Sequence, residues 1–151
     1  MIAVAIIGLA ACKKREPVPG GDIAAALTSP TIEGAPFDPT QLRGKPSIVM
    51  FVSPTCPHCV EQLPAAQKVA KAKDANVVAV FIVGKAENAR GVISHTKFEG
   101  PALIDDGTLR RKYGVRAVPY TLVLGADGHA REALRGAQGE SRLEEAVADA
   151  R

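Results

Sequence analysis

The sequence has few aromatic residues and almost no excess of one charge. It contains no Trp, aromatic residues make up 4% of its 151 residues, and the formal net charge is only +3. The core must therefore be aliphatic, and nothing in the charge balance indicates a nucleic-acid partner. Apolar residues reach 46% and charged residues 23%. This composition is typical of one globular domain with a sizeable core.

Cysteine is also scarce: there are three, and two of them are the first and last residues of the tetrapeptide Cys-Pro-His-Cys at 56–59. The run 47–52 before it is rich in β-branched residues, which predicts a buried strand. The segment 60–73 after it has apolar residues at helical spacing. The pair is therefore predicted where a strand leads into a helix, with Cys56 at the helix N-terminus and Cys59 one turn inside.

This placement favours a thiolate. Unpaired N–H groups and the macrodipole at a helix N-terminus stabilise an anion at Cys56, and a protonated His58 would add a positive charge that lowers the thiol pKa further. Pro57 suits the first turn because its missing N–H would have had no partner. Cys59 can attack a mixed disulfide on Cys56. The pattern predicts dithiol–disulfide exchange, with Cys56 as nucleophile, Cys59 as resolving cysteine, and Pro57 and His58 as tuning residues.

Other interpretations of the pair remain open. It could hold zinc or copper with His58, but four ligands are normal for zinc, and His95 and His129 show no ligand spacing. It could also be an inert structural disulfide, or part of a module that only docks partners. We expect no metal and no cofactor.

Two further enzyme or carrier classes are disfavoured by spacing. A peroxidase would need Pro-x-x-x-Thr-x-x-Cys before its nucleophile, but Val49 and Ser53 occupy the Pro and Thr positions. A Sco-type copper protein would need Cys-x-x-x-Cys, and the spacing here is one residue shorter.

The uncharged N-terminal segment is too short to cross a bilayer. Residues 1–11 are apolar or small, whereas a span needs about 20 apolar residues. A short apolar run that ends in small residues is typical of a secretory signal, and Leu-Ala-Ala-Cys at 9–12 resembles the bacterial lipoprotein box. We therefore predict a lipoprotein-type signal peptide at 1–11 and lipidation of Cys12. No Lys or Arg precedes the run, so the true start is expected upstream of Met1; a buried N-terminal strand is the alternative.

Residues 12–30 are predicted to be the lipidated N-terminus and a flexible tether, because Pro, Gly and Ala occur there without periodicity; within it, residues 22–27 could form a transient helical turn. The folded domain is predicted over 31–151. If Cys12 is lipidated, the other two thiols form one pair in a compartment where disulfides persist. The expected location is lipid-anchored, facing the periplasm or the cell exterior, with exported protein thiols or disulfides as partners.

The rest of the chain predicts an α/β domain, because apolar runs alternate with helical segments. Asp105 and Asp106 are interpreted as a turn and helix cap rather than as a metal site, and Ser141 is predicted to cap the last helix. The predicted elements are strands at 77–83, 102–104, 120–124 and 129–134, and helices at 85–95, 108–113 and from 141.

The order of these elements resembles the thioredoxin fold over 31–151. The motifs Gly-Lys-Pro at 44–46, Leu-Pro at 63–64, Tyr-Gly-Val at 113–115 and Val-Pro at 118–119 are most similar to the exported TlpA/ResA-like thiol–disulfide oxidoreductases. The resemblance implies a three-layer sandwich with a central mixed β-sheet flanked by helices. It also implies that Pro119 is cis and faces the dithiol, and that Val118 pairs with an extended substrate segment. A trans proline at the start of an edge strand is the alternative.

The chain departs from these families near the dithiol. Thr55 stands where thioredoxins usually have Trp, Met50 where they have a buried acidic residue, and Gln62 where TlpA/ResA-like proteins often have Glu. Glu61 should point elsewhere on the helix. No carboxylate that could take a proton from Cys59 is therefore evident.

The direction of electron flow remains open at this stage. The Pro-His dipeptide and the Val before the proline are shared with the DsbA oxidants, whereas the framework resembles reductases of cytochrome c maturation. We predict a lowered pKa for the Cys56 thiol and a fairly oxidising potential. Apocytochrome c is one candidate substrate, a membrane redox partner should reset the dithiol, and the protein is expected to be a monomer.

Overall fold

A computed structural model describes residues 15–151 of the chain. A 3-10 turn at Pro39–Leu42 precedes the first strand. The strands are β1 Ser47–Val52, β2 Asn76–Phe81, β3 Ala102–Ile104, β4 Tyr120–Leu124 and β5 Ala130–Arg135. The helices are α1 Ile23–Ala26, α2 Pro57–Ala72, α3 Ala86–Thr96, α4 Thr108–Lys112 and α5 Glu140–Asp149.

The five strands form one mixed sheet in the order β3-β2-β1-β4-β5. β1 pairs in parallel with β2, and β2 in parallel with β3. β4 runs antiparallel to both β1 and β5. The central position of β1 explains its sequence, because a strand covered on both faces must be apolar at every position, and all six of its residues are buried.

Two apolar clusters cover the two faces of this sheet. Met50 and Val52 of β1 pack with residues of α2 and α5 on one face. Val49 and Phe51 point to the opposite face, where α1 and α4 pack, as the two-residue period of a strand requires. The predicted α/β sandwich with a central mixed sheet flanked by helices is confirmed.

The packed part of the chain begins before residue 31, so the predicted tether over 12–30 is wrong for residues 22–27. Ile23 and Leu27 are fully buried. Asp22 caps α1 by accepting from Ala25 N at 3.0 Å and pairs with Arg43 at 2.5 Å. A segment that buries three of its six residues in the core cannot act as a free linker.

The predicted signal peptide at 1–11 and the lipidation of Cys12 lie outside the described residues. None of the helices within 15–151 combines the length and the apolar character that a membrane span requires.

Two helix N-termini test the capping residues that the sequence predicts. Asp106 accepts from Thr108 N at 2.9 Å, and Asp105 accepts from Leu109 N at 2.9 Å, so the two carboxylates bind the first N–H groups of α4 as predicted, although the N-cap residue itself is Gly107. The predicted cap at Ser141 is wrong: α5 begins at Glu140 after Gly139, without a side-chain cap.

Candidate active site

The Cys-Pro-His-Cys segment lies where the sequence predicts it, at the junction of the central strand and α2. Cys56 is the N-cap of α2, and its Sγ accepts from Cys59 N at 3.1 Å. Pro57 is the first helical residue and lacks the N–H that would have needed a partner there. The Cys59 N–H, which also donates to Cys56 O at 3.1 Å, is therefore directed at the Cys56 sulfur.

Cys56 and Cys59 are joined by a disulfide, with 5.2 Å between their Cα atoms. The two sulfurs differ in access, because Cys59 is only 1% exposed whereas Cys56 is only partly buried. An incoming thiolate can therefore reach Cys56 more easily than Cys59.

The second half of the site is the loop before β4. The Val118–Pro119 peptide bond is cis, as the resemblance implied. The carbonyl O of Val118 lies 3.8 Å from Cys56 Sγ. Within residues 15–151 the Val118 N–H has no hydrogen-bond acceptor. A backbone edge is thus left available beside the outer sulfur.

His58 is exposed, and its nearest acidic partner is Glu61 one turn further on. The distance from His58 Nδ1 to Glu61 Oε2 is 3.7 Å, and the two side chains are 71% and 77% exposed. Glu61 therefore faces solvent, as its helix position predicted.

The buried polar group near Cys59 is Gln62, which the sequence marked only as a departure from the family pattern. Gln62 is 3% exposed. It donates from Nε2 to Thr121 Oγ1 at 3.1 Å, and its Oε1 accepts from Gln138 N at 2.7 Å. One neutral side chain thus joins α2, β4 and the loop before α5. Its spacing of three residues from Cys59 was the available signal, but its partners are distant in sequence.

A metal site is not favoured by this arrangement. The two sulfurs are bonded to each other, and no group of three or more His, Cys, Asp or Glu side chains within 15–151 is placed to hold a metal ion.

Comparison with known proteins agrees with this geometry. A family model described as the AhpC/TSA family matches residues 20–133. The chain belongs to the AhpC/TSA family. Its match begins before residue 31, in agreement with the packed α1 segment.

Named relatives with similar sequences include two from different bacteria. The soluble secreted antigen MPT53 of Mycobacterium tuberculosis is 30% identical over 133 residues, which cover 84% of this chain and 75% of MPT53. The methylamine utilization protein MauD of Methylobacillus flagellatus is 29% identical over 110 residues, 72% of this chain and 53% of MauD.

A solved structure shares both fold and chemistry. A secreted disulfide oxidoreductase of Mycobacterium tuberculosis, described as homologous to DsbE of E. coli, superposes with a TM-score of 0.73 at 28% identity. The match covers 85% of this chain and 98% of that protein. This AhpC/TSA member therefore has the thioredoxin-like fold and is a thiol–disulfide oxidoreductase with the cysteine pair Cys56–Cys59.

Proposed function

We propose that the chain exchanges disulfides with exported proteins, with Cys56 as the attacked and attacking sulfur and Cys59 as the resolving one. The observation that carries this proposal is the position of Cys56 Sγ. It is the more accessible sulfur of the pair, it accepts a helix N-terminal N–H, and it lies beside the open Val118 edge.

In the oxidised form, a substrate thiolate attacks Cys56 Sγ, the bond to Cys59 breaks, and Cys59 leaves as a thiolate that takes up a proton. A second substrate thiolate then attacks the substrate sulfur of the mixed disulfide and releases Cys56 as a thiolate. Two electrons pass from the substrate dithiol to the pair. The reverse sequence reduces a substrate disulfide, with Cys59 displacing the substrate from Cys56.

Val118 and Pro119 form the proposed substrate-binding edge. An extended substrate segment would pair with the backbone of Val118, which gives affinity through main-chain hydrogen bonds and tolerates varied sequences. Pro57 and His58 are proposed to tune the pair, through the helix start and through a charge near it.

The test is to trap the mixed disulfide. In a Cys12→Ser background, the Cys59→Ser variant should form a stable, dithiothreitol-sensitive adduct with a disulfide-containing peptide, detected by mass spectrometry. The matched Cys56→Ser variant should form little or none, because Cys59 is buried. Equal adduct formation by both variants would contradict the assignment of Cys56 as the nucleophile and Cys59 as the resolving cysteine.

We also propose export, which the secreted relatives support, and anchoring through a lipid on Cys12, which rests on the lipoprotein-like sequence at 9–12. Apocytochrome c is a candidate substrate, and a membrane thiol–disulfide protein is the expected recycling partner. Intact mass and membrane fractionation of the wild type and Cys12→Ser test the anchor. An unmodified Cys12 in a soluble wild-type protein would refute it.

A further inference from the structure

A basic groove lies on the α4 side of the cis-proline loop. It is a cavity of about 380 Å³ between the N-terminal segment 16–19 and the residues around the end of α4. Its positively charged lining residues are Lys112, Arg116 and Arg135, and the rings of Tyr113 and Tyr120 complete the wall. We use the name basic groove for this set.

Two of the three cations have no carboxylate partner in the described part of the chain. Arg116 is exposed and makes no hydrogen bond or ion pair with residues 15–151. Lys112 lies 5.6 Å above the ring of Tyr113 and has no acidic partner there. The residues that line the groove therefore carry more positive than negative charge.

One carboxylate of the chain already binds in this groove. Glu16 Oε2 lies 3.0 Å from an Nη of Arg135, and Glu16 belongs to a non-helical, Pro-rich segment that forms the opposite wall. The groove thus accommodates an acidic side chain carried by an irregular stretch of polypeptide.

The groove adjoins the proposed substrate-binding edge. Arg116 is two residues before Val118, whose carbonyl O contacts Cys56 Sγ. Tyr120, at the start of β4, pairs with Arg135 of β5. Arg116 and Val118 are two positions apart, which corresponds to about 7 Å of extended chain, so the substrate positions to consider lie about two to four residues from the reacting cysteine.

We propose that the basic groove is a subsite for an acidic residue of the substrate polypeptide, near the cysteine that exchanges with Cys56. This inference rests on the proposed exchange function and adds a substrate preference to it. Charge complementarity across a partly exposed site increases mainly the rate of productive encounter.

The experiment measures how fast single-cysteine peptides open the oxidised disulfide of the full chain. Matched peptides carry Glu, Gln or Lys at one position, two to four residues from the cysteine. Each rate is divided by the rate of the same peptide with a small neutral disulfide, because neighbouring charges alter the peptide's own thiol pKa.

The wild type should prefer the Glu peptide over the Lys peptide by about threefold to tenfold at low salt, and the ratio should approach one at high salt. Arg116→Gln should lower the ratio by at least about half. Arg111→Gln is the matched control, since it removes the same charge from exposed α4 outside the groove, and it should leave the ratio nearly unchanged.

A wild-type ratio near one, or an equal loss in Arg116→Gln and Arg111→Gln, would overturn the subsite while leaving the exchange function intact. If no peptide opens the disulfide of the wild type, the exchange function itself fails. The two failures are therefore distinguishable.

Discussion

At the residue scale, the chemistry depends on what surrounds the Cys56 sulfur. The Cys59 N–H at 3.1 Å and the dipole of the 16-residue helix α2 both favour the thiolate over the thiol. His58 is close in sequence but exposed and paired with Glu61, so water should screen its effect on the pKa of the Cys56 thiol. The helix end is the stronger of the two causes.

We therefore predict that Cys56 in the reduced protein has a pKa below that of a free thiol, which is about 8.5. Iodoacetamide should alkylate it faster than a peptide thiol at neutral pH, and the rate should stay high below pH 8. The Cys59→Ser variant isolates this reaction, and Cys56→Ser supplies the slow, buried comparison. A Cys56 rate that follows the pH profile of a free peptide thiol would contradict the prediction.

Loss of the Gln62 side chain should destabilise the fold, because it bonds to groups on two other parts of the chain. Gln62→Leu keeps the volume but leaves Thr121 Oγ1 and Gln138 N without their observed partner, and a buried unsatisfied polar group costs about 1–3 kcal/mol. We expect the free energy of unfolding to fall by about 2 kcal/mol.

The measurement for Gln62→Leu is urea unfolding of the oxidised protein. Gln67→Leu on the same helix is the control, because Gln67 is only partly buried and its contacts with Lys97 O and Glu99 N lie at the surface. Water can replace those bonds, so this change should cost clearly less. An equal loss in both variants would mean that burial of the Gln62 network contributes nothing.

At the element scale, the sequence predicted well where a local pattern decides the structure. The all-apolar run of β1 and the Pro57 position at the start of α2 are local signals, and both elements are found. Residues 22–27 were interpreted as tether because the five apolar residues 23–27 are too few to show a periodicity. Only the folded sheet shows that Ile23 and Leu27 have a surface to cover.

The start of α5 was missed for a related reason. A capping pattern at Ser141 predicted a later start, but Gln138 N binds Gln62 Oε1, 76 residues away, and Gly139 becomes the N-cap. The role of Gln62 was missed for the same reason, because a hydrogen bond between residues far apart in the chain cannot be predicted from the local sequence.

Leu27→Ala tests whether α1 belongs to the folded domain. Leu27 is fully buried, and removal of such a side chain costs about 2–5 kcal/mol through lost burial and the cavity left behind. Chemical denaturation should show this loss, whereas Val18→Ala, at a position 42% exposed, should change stability by less than about 0.5 kcal/mol. A Leu27 variant as stable as the wild type would restore the tether interpretation.

The β4–β5 turn should make stability sensitive to acid. Arg131, and then the His129 N–H, lower the pKa of Asp127 to about 2 from its ordinary value of 3.8. Because the folded pKa is depressed, the stabilisation is fully present above pH 3.8 and is lost as the pH falls through about 2.

Asp127→Asn should therefore lower the urea midpoint at pH 6, and the difference from the wild type should shrink between pH 4 and pH 2. The control at each pH is the change in urea midpoint caused by Asp74→Asn, since the Asp74 side chain is 81% exposed. A difference that stays constant over this range would contradict a role for the charge.

At the scale of the whole molecule, the fold places the Cys56–Cys59 pair at the start of α2, where the helix end stabilises a thiolate at Cys56. A stabilised thiolate favours the reduced form, and that makes a pair more oxidising. The same reasoning supports the oxidant direction that the Pro-His dipeptide indicates.

The most direct test of the central claim is an equilibrium titration of the full chain in glutathione redox buffers at pH 7. The state of Cys56 and Cys59 is read by thiol alkylation and mass spectrometry. We predict one reversible two-electron transition between dithiol and disulfide, at a potential more oxidising than the thioredoxin value of about −270 mV. A pair that stays in one state throughout, or that changes only irreversibly, would contradict the assignment of a thiol–disulfide exchange site.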